Sequence, residues 1–261
     1  MSLPKPTGEF EWVQESWGAA LRCRPLSGTA AHRFSSRELV MQSSHEEDRQ
    51  SWNALGAALR VDVGYMVRMH QVHGVEVFEP PAELRTASDP AEWPQGDIAI
   101  TADPSIALSV RAADCVPILL ADRTTGAVAA VHAGWQGTAL GAALVAVQAL
   151  AFRYGVQPRN LIAAVGPSIG PCCYEVGPDL AARFSGHPES PAWFSAHERP
   201  HLDLWRATHD QLHRAGIPVE RIHVCRLCTF DNPALLHSYR RDGARAGRLV
   251  AAIRSGPDTT L

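Results

Sequence analysis

The stretch Ala113-Asp114-Cys115-Val116-Pro117-Ile118-Leu119-Leu120-Ala121-Asp122-Arg123-Thr124-Thr125-Gly126-Ala127-Val128-Ala129-Ala130-Val131-His132-Ala133-Gly134-Trp135 decides how this chain folds. It holds two short apolar runs, 116–120 and 127–131, joined by the turn formers of 122–126. A third run, 106–110, precedes it, and all three have the length and composition of buried strands. Cys115 and His132, both potential metal ligands, then fall at strand ends. Past His132, two glycines in four residues favour a tight backbone path over a continued strand or an immediate helix. The reading starts a helix at Thr138 as N-cap, puts Leu140, Leu144, Val147 and Ala151 on one face, and stops it at Gly155. The unit is strand, turn, strand, glycine loop, helix.

With 261 residues, 46% of them hydrophobic, the chain has enough apolar material for one large core, and residues 1–261 read as a single domain whose first 20 residues are partly disordered. Glu9, Glu11 and Glu15 interrupt the apolar segment that a signal peptide requires. The most apolar stretch, 139–152, is too short to span a bilayer and contains Gln148. These features predict a soluble cytoplasmic protein that does not bind a membrane. A net charge of −3, from 24 basic and 27 acidic residues, gives no electrostatic footprint for nucleic acid and leaves a small molecule as the expected ligand. Six cysteines in a chain of this length do not form the dense framework of a secreted scaffold, so disulfides are not expected.

Along the chain, strands are expected at 19–23 and 32–37. The second of these could deliver Arg37 to a cleft or leave it exposed at the strand end. A helix at 46–59 turns Trp52, Leu55 and Leu59 inward. Strands at 65–69 and 75–78 flank His70-Gln71-Val72-His73-Gly74. On a strand, residues three apart face opposite ways, so at most one of the two histidines enters a given site. Gly96-Asp97 opens another strand, and 161–165 leads into a loop fixed by glycine and proline at 166–171. Cys172 and Cys173, adjacent within that loop, read as packed thiols. Trp205, Thr208, Leu212 and Ala215 have helical spacing up to Gly216, and His209 and His213 on that helix lack a third ligand. Cys225 and Cys228 form a lone Cys-x-x-Cys with no second pair, so no second zinc centre is expected. The arginine-rich turn at 237–243 is read as passing into a short helix toward 253.

Several segments together resemble one known family: Gln71-Val72-His73-Gly74, Gly96-Asp97 with Ala102-Asp103, Ala113-Asp114-Cys115-Val116-Pro117, Val131-His132-Ala133-Gly134-Trp135, Gly166-Pro167-Ser168-Ile169-Gly170 with Cys173-Tyr174-Glu175-Val176-Gly177, and Ser238-Tyr239-Arg240-Arg241. In this order, over residues 30 to 253, they resemble the YfiH/laccase-domain family of purine nucleoside phosphorylases. That resemblance implies an α/β (α+β) layered sandwich of mixed β-sheets with flanking helices. It implies a Zn2+ site, with Cu2+ as the alternative, on His73, Cys115 and His132. It also implies phosphorolysis of adenosine, inosine, guanosine and methylthioadenosine, and adenosine deamination in the same pocket. Sequence spacing alone does not group the three ligands.

A metal held by three protein ligands keeps a fourth position for water or substrate. Within the site the resemblance implies, Cys115, His132 and Asp114 are the catalytic candidates, with Asp97 or Asp114 as proton shuttle or as partner to a histidine ligand. Gln71 and Asp97 join Arg37 and Arg240 as substrate-binding candidates, the arginines for phosphate. Two departures from the family pattern stand out: Gln136 where arginine usually follows the His-Ala-Gly-Trp segment, and an altered segment at 38–48. The start of a zinc-deaminase signature, His45-Glu46-Glu47, lacks its second half. Three competing functions remain. A copper-dependent polyphenol oxidase could bind one copper on two histidines and a cysteine, but without a His-x-His pair a multi-copper cluster has no evident ligands. A metal-free hydrolase would use Cys115 with His132 as its base. The last is a non-catalytic metal or nucleoside binding protein. The sequence leaves the oligomeric state open.

Overall fold

A computed structural model describes residues 3–41, 45–86, 89–195 and 199–258, without the side chains of 45–47 and of residue 90. Among the described residues, twelve strands form two six-stranded sheets. The first sheet runs, in hydrogen-bonded order, β1 (Phe10–Glu15), β2 (Gly18–Cys23), β3 (Ala30–Ser35), β12 (Leu249–Ser255), β7 (Ala107–Ala112) and β4 (Met66–Val67). The second runs β11 (Ile222–Val224), β10 (Leu161–Val165), β8 (Val116–Asp122), β9 (Val128–Ala133), β6 (Ile98–Thr101) and β5 (Val77–Phe78). Helices α1 (Arg24–Ser27), α2 (His45–Leu59), α3 (Trp135–Ala139), α4 (Ala142–Tyr154), α5 (Leu204–Arg214) and α6 (Tyr239–Asp242) complete the fold.

Strand periodicity sorts the apolar side chains into layers. On β8, Leu119 and Ala121 face the first sheet and pack with Phe34, Val110 and Ile253, whereas Ile118 and Leu120 face α4 and α5 and pack with Ala146, Leu150 and Leu212. α2 covers the outer face of the first sheet, setting Trp52, Leu55 and Leu59 against Ala31, Val250 and Ala252. The layers are therefore helix, sheet, sheet, helix. Because β8 is buried on both faces it reads as a continuous apolar run, and each such leucine contributes about 1.5–3 kcal/mol by leaving water.

The turn at 122–126 closes as expected. Asp122 Oδ2 accepts hydrogen bonds from Thr125 N at 2.8 Å and Thr125 Oγ1 at 2.6 Å, and Gly126 takes φ 74°. Gly155 also caps α4 in the left-handed region, donating to the Ala151 carbonyl at 3.0 Å.

Other expectations are corrected. Residues 10–20, expected to be partly disordered, lie in the β1–β2 hairpin. The helix after His132 begins at Trp135, with Gly134 as its N-cap, and breaks at Gly141, where φ is 81°. That break resets the helical phase. The buried face of α4 is therefore Ala142, Ala143, Ala146, Val147 and Leu150, and Leu140 is 59% exposed. The segment read as a helix toward 253 is strand β12, where Val250 and Ala252 face one core and Ala251 and Ile253 the other. A strand buried on both faces loses its polar alternation, so its composition also suits a helix. Strands β4 and β5 are shorter than read. Of the altered segment 38–48, residues 42–44 lie outside the described residues, as do the side chains of His45-Glu46-Glu47. Among the described residues, no helix is long and apolar enough to cross a membrane.

Candidate metal centre and cleft

Three backbone pairings bring the candidate ligands together. β8 and β9 are antiparallel with Val116 opposite Ala133, so their hairpin brings Cys115, just before β8, back to His132 near the end of β9. β9 also pairs antiparallel with β6, Ile98 opposite Val131, which sets Asp97 beside His132. β5 runs parallel to β6, Val77 opposite Ile98, so the loop before β5 delivers His73 to the same sheet edge. One donor atom from each of His73, Cys115 and His132 lies within 4.8 Å of the others.

Asp97 is the hub of this edge. Its fully buried carboxylate accepts from His132 Nδ1 at 2.8 Å and from the backbone N–H groups of Val72 (3.1 Å), His73 (3.1 Å) and Gly74 (2.8 Å). Burial alone would raise its pKa, but the His132 hydrogen bond and then the Gly74 and Val72 donors outweigh it and leave the carboxyl below its ordinary value. The bond to Asp97 fixes the His132 proton on Nδ1 and frees Nε2 as a ligand, the arrangement that orients metal-binding histidines. His73 takes φ 61°, and the three amide donors hold that left-handed turn. Asp97 thus bonds His132 and does not itself line the cleft, where the sequence reading had also considered it for substrate.

Burial pushes the Cys115 thiol up to about 12, with Asp114 adding to the effect, and burial also lowers His132 despite Asp97. A thiol and two imidazoles converging at one point are the donor set of a soft or borderline cation. The surroundings leave room for a group at this point. A Cβ at Gly134 would stand 2.9 Å from Cys115 Sγ and 3.0 Å from His73 Cδ2, so only glycine fits there. The residues present fit a single metal ion.

The donors open on a cleft of about 540 Å³, also lined by His70, Gln71, Arg111, Tyr174, Arg240 and Arg248. His70 therefore shares the cleft without joining the donor group. Gln71 is held on both ends of its amide: Nε2 donates to the Arg111 carbonyl at 2.7 Å and Oε1 accepts from Arg111 N at 2.8 Å. Asp114 Oδ1 accepts from Thr229 Oγ1 at 2.6 Å and Oδ2 from Arg240 N at 2.6 Å, so its carboxylate anchors the arginine loop over the cleft. The Arg240 guanidinium lies over the Tyr174 ring and donates to the Glu175 carbonyl at 2.8 Å. Burial and then the like charge of Arg248 lower the Arg111 pKa, with Asp48 opposing.

Arg37 does not reach the cleft. It is exposed, its Nη1 donates to the Pro233 carbonyl and its backbone N to the Leu235 carbonyl, which is the bland alternative for a strand-end arginine. Sequence reading missed Arg111 and Arg248. Their signal was weak: Arg111 lies four residues before Cys115, next to the readable hairpin, and Arg248 was hidden by the misread helix. Gln136 is exposed and lines no part of this cleft. His209 and His213 bond locally, to Asp210 at 3.4 Å and to the Ile217 carbonyl at 3.2 Å. The Cys-x-x-Cys pair splits: Cys225 is buried between the two sheets, and Cys228 instead joins Cys172, Cys173 and Asp231. Cys172 is exposed, not packed as expected.

A protein named purine nucleoside phosphorylase from Deinococcus radiodurans is 38% identical over 76% of this chain and 74% of its own length. Another, named purine nucleoside phosphorylase YlmD, from Geobacillus stearothermophilus, is 37% identical over 70% of this chain and 69% of its own. The crystal structure of YlmD superposes with a TM-score of 0.84 at 32% identity, covering 94% of this chain and 98% of that one. Bacillus licheniformis YfiH, described as a hypothetical protein, gives a TM-score of 0.84 at 26% identity over 94% and 97%. A family model described as multi-copper polyphenol oxidoreductase laccase matches residues 24–255, and on that span the chain belongs to the YfiH/laccase-like family.

Proposed function

We propose that this cleft phosphorolyses purine nucleosides, with Zn2+, or alternatively Cu2+, held by His73, Cys115 and His132. The observation that carries the reading is a three-donor group set into a cleft of nucleoside size that also presents Arg111, Arg240 and Arg248. The names of the relatives support it. In the reaction the C1′–N9 bond of the nucleoside breaks, a phosphate oxygen bonds to C1′, and a proton reaches the departing purine. When bound, the ion supplies a Lewis acid at the position that three ligands leave open. Arg111 and Arg248 repel each other across the cleft, and a phosphate between them removes that repulsion through charge-assisted hydrogen bonds. Tyr174, kept protonated because burial raises its pKa to about 12, is an O–H donor for the substrate. Asp114, with both oxygens engaged, positions Arg240. Gln71 positions Arg111.

Adenosine deamination in the same cleft extends this reading, with adenosine, inosine, guanosine and methylthioadenosine as the substrate range. The metal-free Cys–His hydrolase is disfavoured, because a nucleophilic thiol needs a lowered pKa and Cys115 is pushed the other way. The deciding experiment incubates zinc-loaded and copper-loaded protein with these four nucleosides, with and without phosphate, and separates the products. Phosphate-dependent release of free purine with ribose 1-phosphate is expected. Oxygen uptake with a phenolic substrate and no purine release would replace the phosphorylase with the copper oxidase. Binding without turnover would leave a nucleoside-binding protein.

A further inference from the structure

The loop after β10 brings two thiols, the exposed Cys172 and the half-buried Cys173, to the buried Cys228 of the segment after β11. Cys172 Sγ lies 3.5 Å from Cys173 Sγ and 3.2 Å from Asp231 Oδ2, and Cys173 Sγ lies 3.1 Å from Asp231 Oδ1. With Cys228 Sγ, one donor from each of these residues falls within 4.8 Å of all the others. We propose that Cys172, Cys173, Cys228 and Asp231 form a second metal site, for a thiophilic d10 cation such as Zn2+, separate from the cleft and structural in role.

Adjacent cysteines ordinarily diverge, but a tight turn overrides this here. Cys173 N and Tyr174 N both donate to the Gly170 carbonyl at 3.0 Å, which curls the chain and turns both thiols to one side. Gly170 is itself fixed, since a Cβ there would meet the Trp205 ring at 2.5 Å. Cys228 arrives from the other segment through a backbone bridge to Ser168, with Thr229 N donating to the Ser168 carbonyl at 3.1 Å. Asn232 Nδ2 donates to the Cys228 carbonyl at 2.8 Å and closes the turn that carries Asp231. Tetrahedral zinc with bonds of about 2.3 Å to sulfur and 2.0 Å to oxygen sets S···S edges of about 3.8 Å and S···O edges of about 3.5 Å. The separations among Cys172, Cys173 and Asp231 need only small outward movements to meet those values, and Cys228 lies within 4.8 Å of each. A disulfide between the neighbours fits less well, because consecutive Cα atoms are about 3.8 Å apart and ordinary disulfides span about 4.4–6.8 Å.

Three thiolates and a carboxylate make a closed four-ligand set, unlike the three-ligand group in the cleft, and closed sets are structural. Solvent reaches the site at Cys172. The two segments it would join carry Tyr174, which lines the cleft, and Thr229, which holds Asp114. An ion here ties down the outer wall of the cleft without touching the substrate.

The test loads the reduced full-length protein with Zn2+, removes the excess, and measures metal per chain alongside thermal melting. The wild type should hold about two equivalents, one from each donor group. Cys172→Ser and Asp231→Asn should each lose the second equivalent and lower the melting temperature while keeping the first, and Cys115→Ser should lose the first and keep the second. With Co2+ in place of zinc, the thiolate charge-transfer absorption should weaken more in Cys172→Ser than in Cys115→Ser. Wild-type stoichiometry retained in both Cys172→Ser and Asp231→Asn overturns the proposal. So does a wild type holding a single equivalent, whether its remaining thiols titrate as free or mass analysis shows them paired in a disulfide.

Discussion

The two donor groups of this protein are built in opposite ways. His73, Cys115 and His132 stand at the edge of a central sheet, where strand register sets their positions and the buried Asp97 carboxylate orients one imidazole and the loop carrying the other. Cys172, Cys173, Cys228 and Asp231 stand on two loops beyond the strand ends, where turns and a single backbone bridge set their positions and only Cys228 is buried. The first group is prepared before any ion arrives and leaves a coordination position open, as catalysis requires. The second gains order from what it binds. Preorganisation against adaptability is the difference, and each substitution below tests one side of it.

Loss of a ligand at the sheet edge should have the largest effect. Removing an outer partner of a metal site typically costs ten- to a hundredfold in affinity or activity, and removing one of three ligands costs more. Cys115→Ala should therefore reduce phosphorolysis by more than about a hundredfold and remove the ion of the cleft, measured by product assay and metal analysis on the same sample. Cys172→Ser should leave turnover within about threefold, as expected of a surface position away from the chemistry. Comparable collapse in both variants would end the distinction between a catalytic and a structural group.

Asp97→Asn comes next. It keeps the size of the side chain, but its amide cannot accept from His132 Nδ1 and from three backbone amides as a carboxylate does. Metal affinity in the cleft should fall about ten- to a hundredfold, with far-ultraviolet circular dichroism unchanged. An unaltered affinity would mean that strand register alone holds the ligands.

How much of this was legible in the sequence follows the same division. The hairpin from Cys115 to His132 could be read because its turn chemistry, Asp122 to Gly126, and its apolar runs are local signals. The layered fold, and the grouping of His73 with that hairpin, came through the family resemblance, since the β5–β6 and β6–β9 pairings that deliver His73 and Asp97 leave no local trace. Of the face expected for helix α4 only Val147 is buried, because one left-handed glycine, Gly141, shifts the phase, and Gly141 looks like any other small residue in an alanine-rich run. β12 was taken for a helix because both of its faces are buried. That error hid Arg248, one residue before the strand. The cysteine cluster was read as packing because chain adjacency says nothing of a turn that folds both thiols to one side.

Among the cations, Arg248→Ala should weaken phosphate use. Losing a charge-assisted contact costs about 1.5–3 kcal/mol, so the KM for phosphate should rise roughly ten- to a hundredfold while deamination, which consumes water, changes little. Arg37→Ala is the control and should leave both activities near wild type, since that guanidinium is engaged with Pro233 outside the cleft. The reverse pattern would move the phosphate to Arg37 and dismantle the assignment made from the cleft.

Acid should separate the two groups as well. Burial outweighs the Asp97 bond and holds His132 below its ordinary value, so as pH falls through about 6.5 the unfolded chain takes up protons that the folded, metal-free chain refuses. The stability linked to this imidazole is complete above that pH and lost progressively as pH drops toward the folded pKa. The depressed Asp97 acts in the same direction only lower, below about 3.9. His32 and His237, both pushed down to about 4 by burial, add to the slope above pH 4. Melting temperatures of metal-free protein should therefore fall from pH 7 to 5, less steeply in His132→Asn. An equal slope in that variant would show that His132 titrates normally.

The smallest effect is expected at Gln136, where the family pattern usually has arginine. If the rigid edge alone defines the catalytic surface, a charge added just beyond it should matter little. The side chain belongs to the first turn of α3, points to solvent and lines no part of the cleft, although it follows His132 by only four residues. An exposed substitution that touches no buried group stays within about 0.5 kcal/mol, and helix propensity hardly distinguishes glutamine from arginine. Gln136→Arg should therefore leave the melting temperature and the KM for phosphate unchanged within error. A clear fall in that KM, with kcat preserved, would mean that the arginine reaches a phosphate from outside the cleft. The anion would then sit nearer α3 than Arg111 and Arg248 allow, and Arg248→Ala would have to lose its effect on the same measurement.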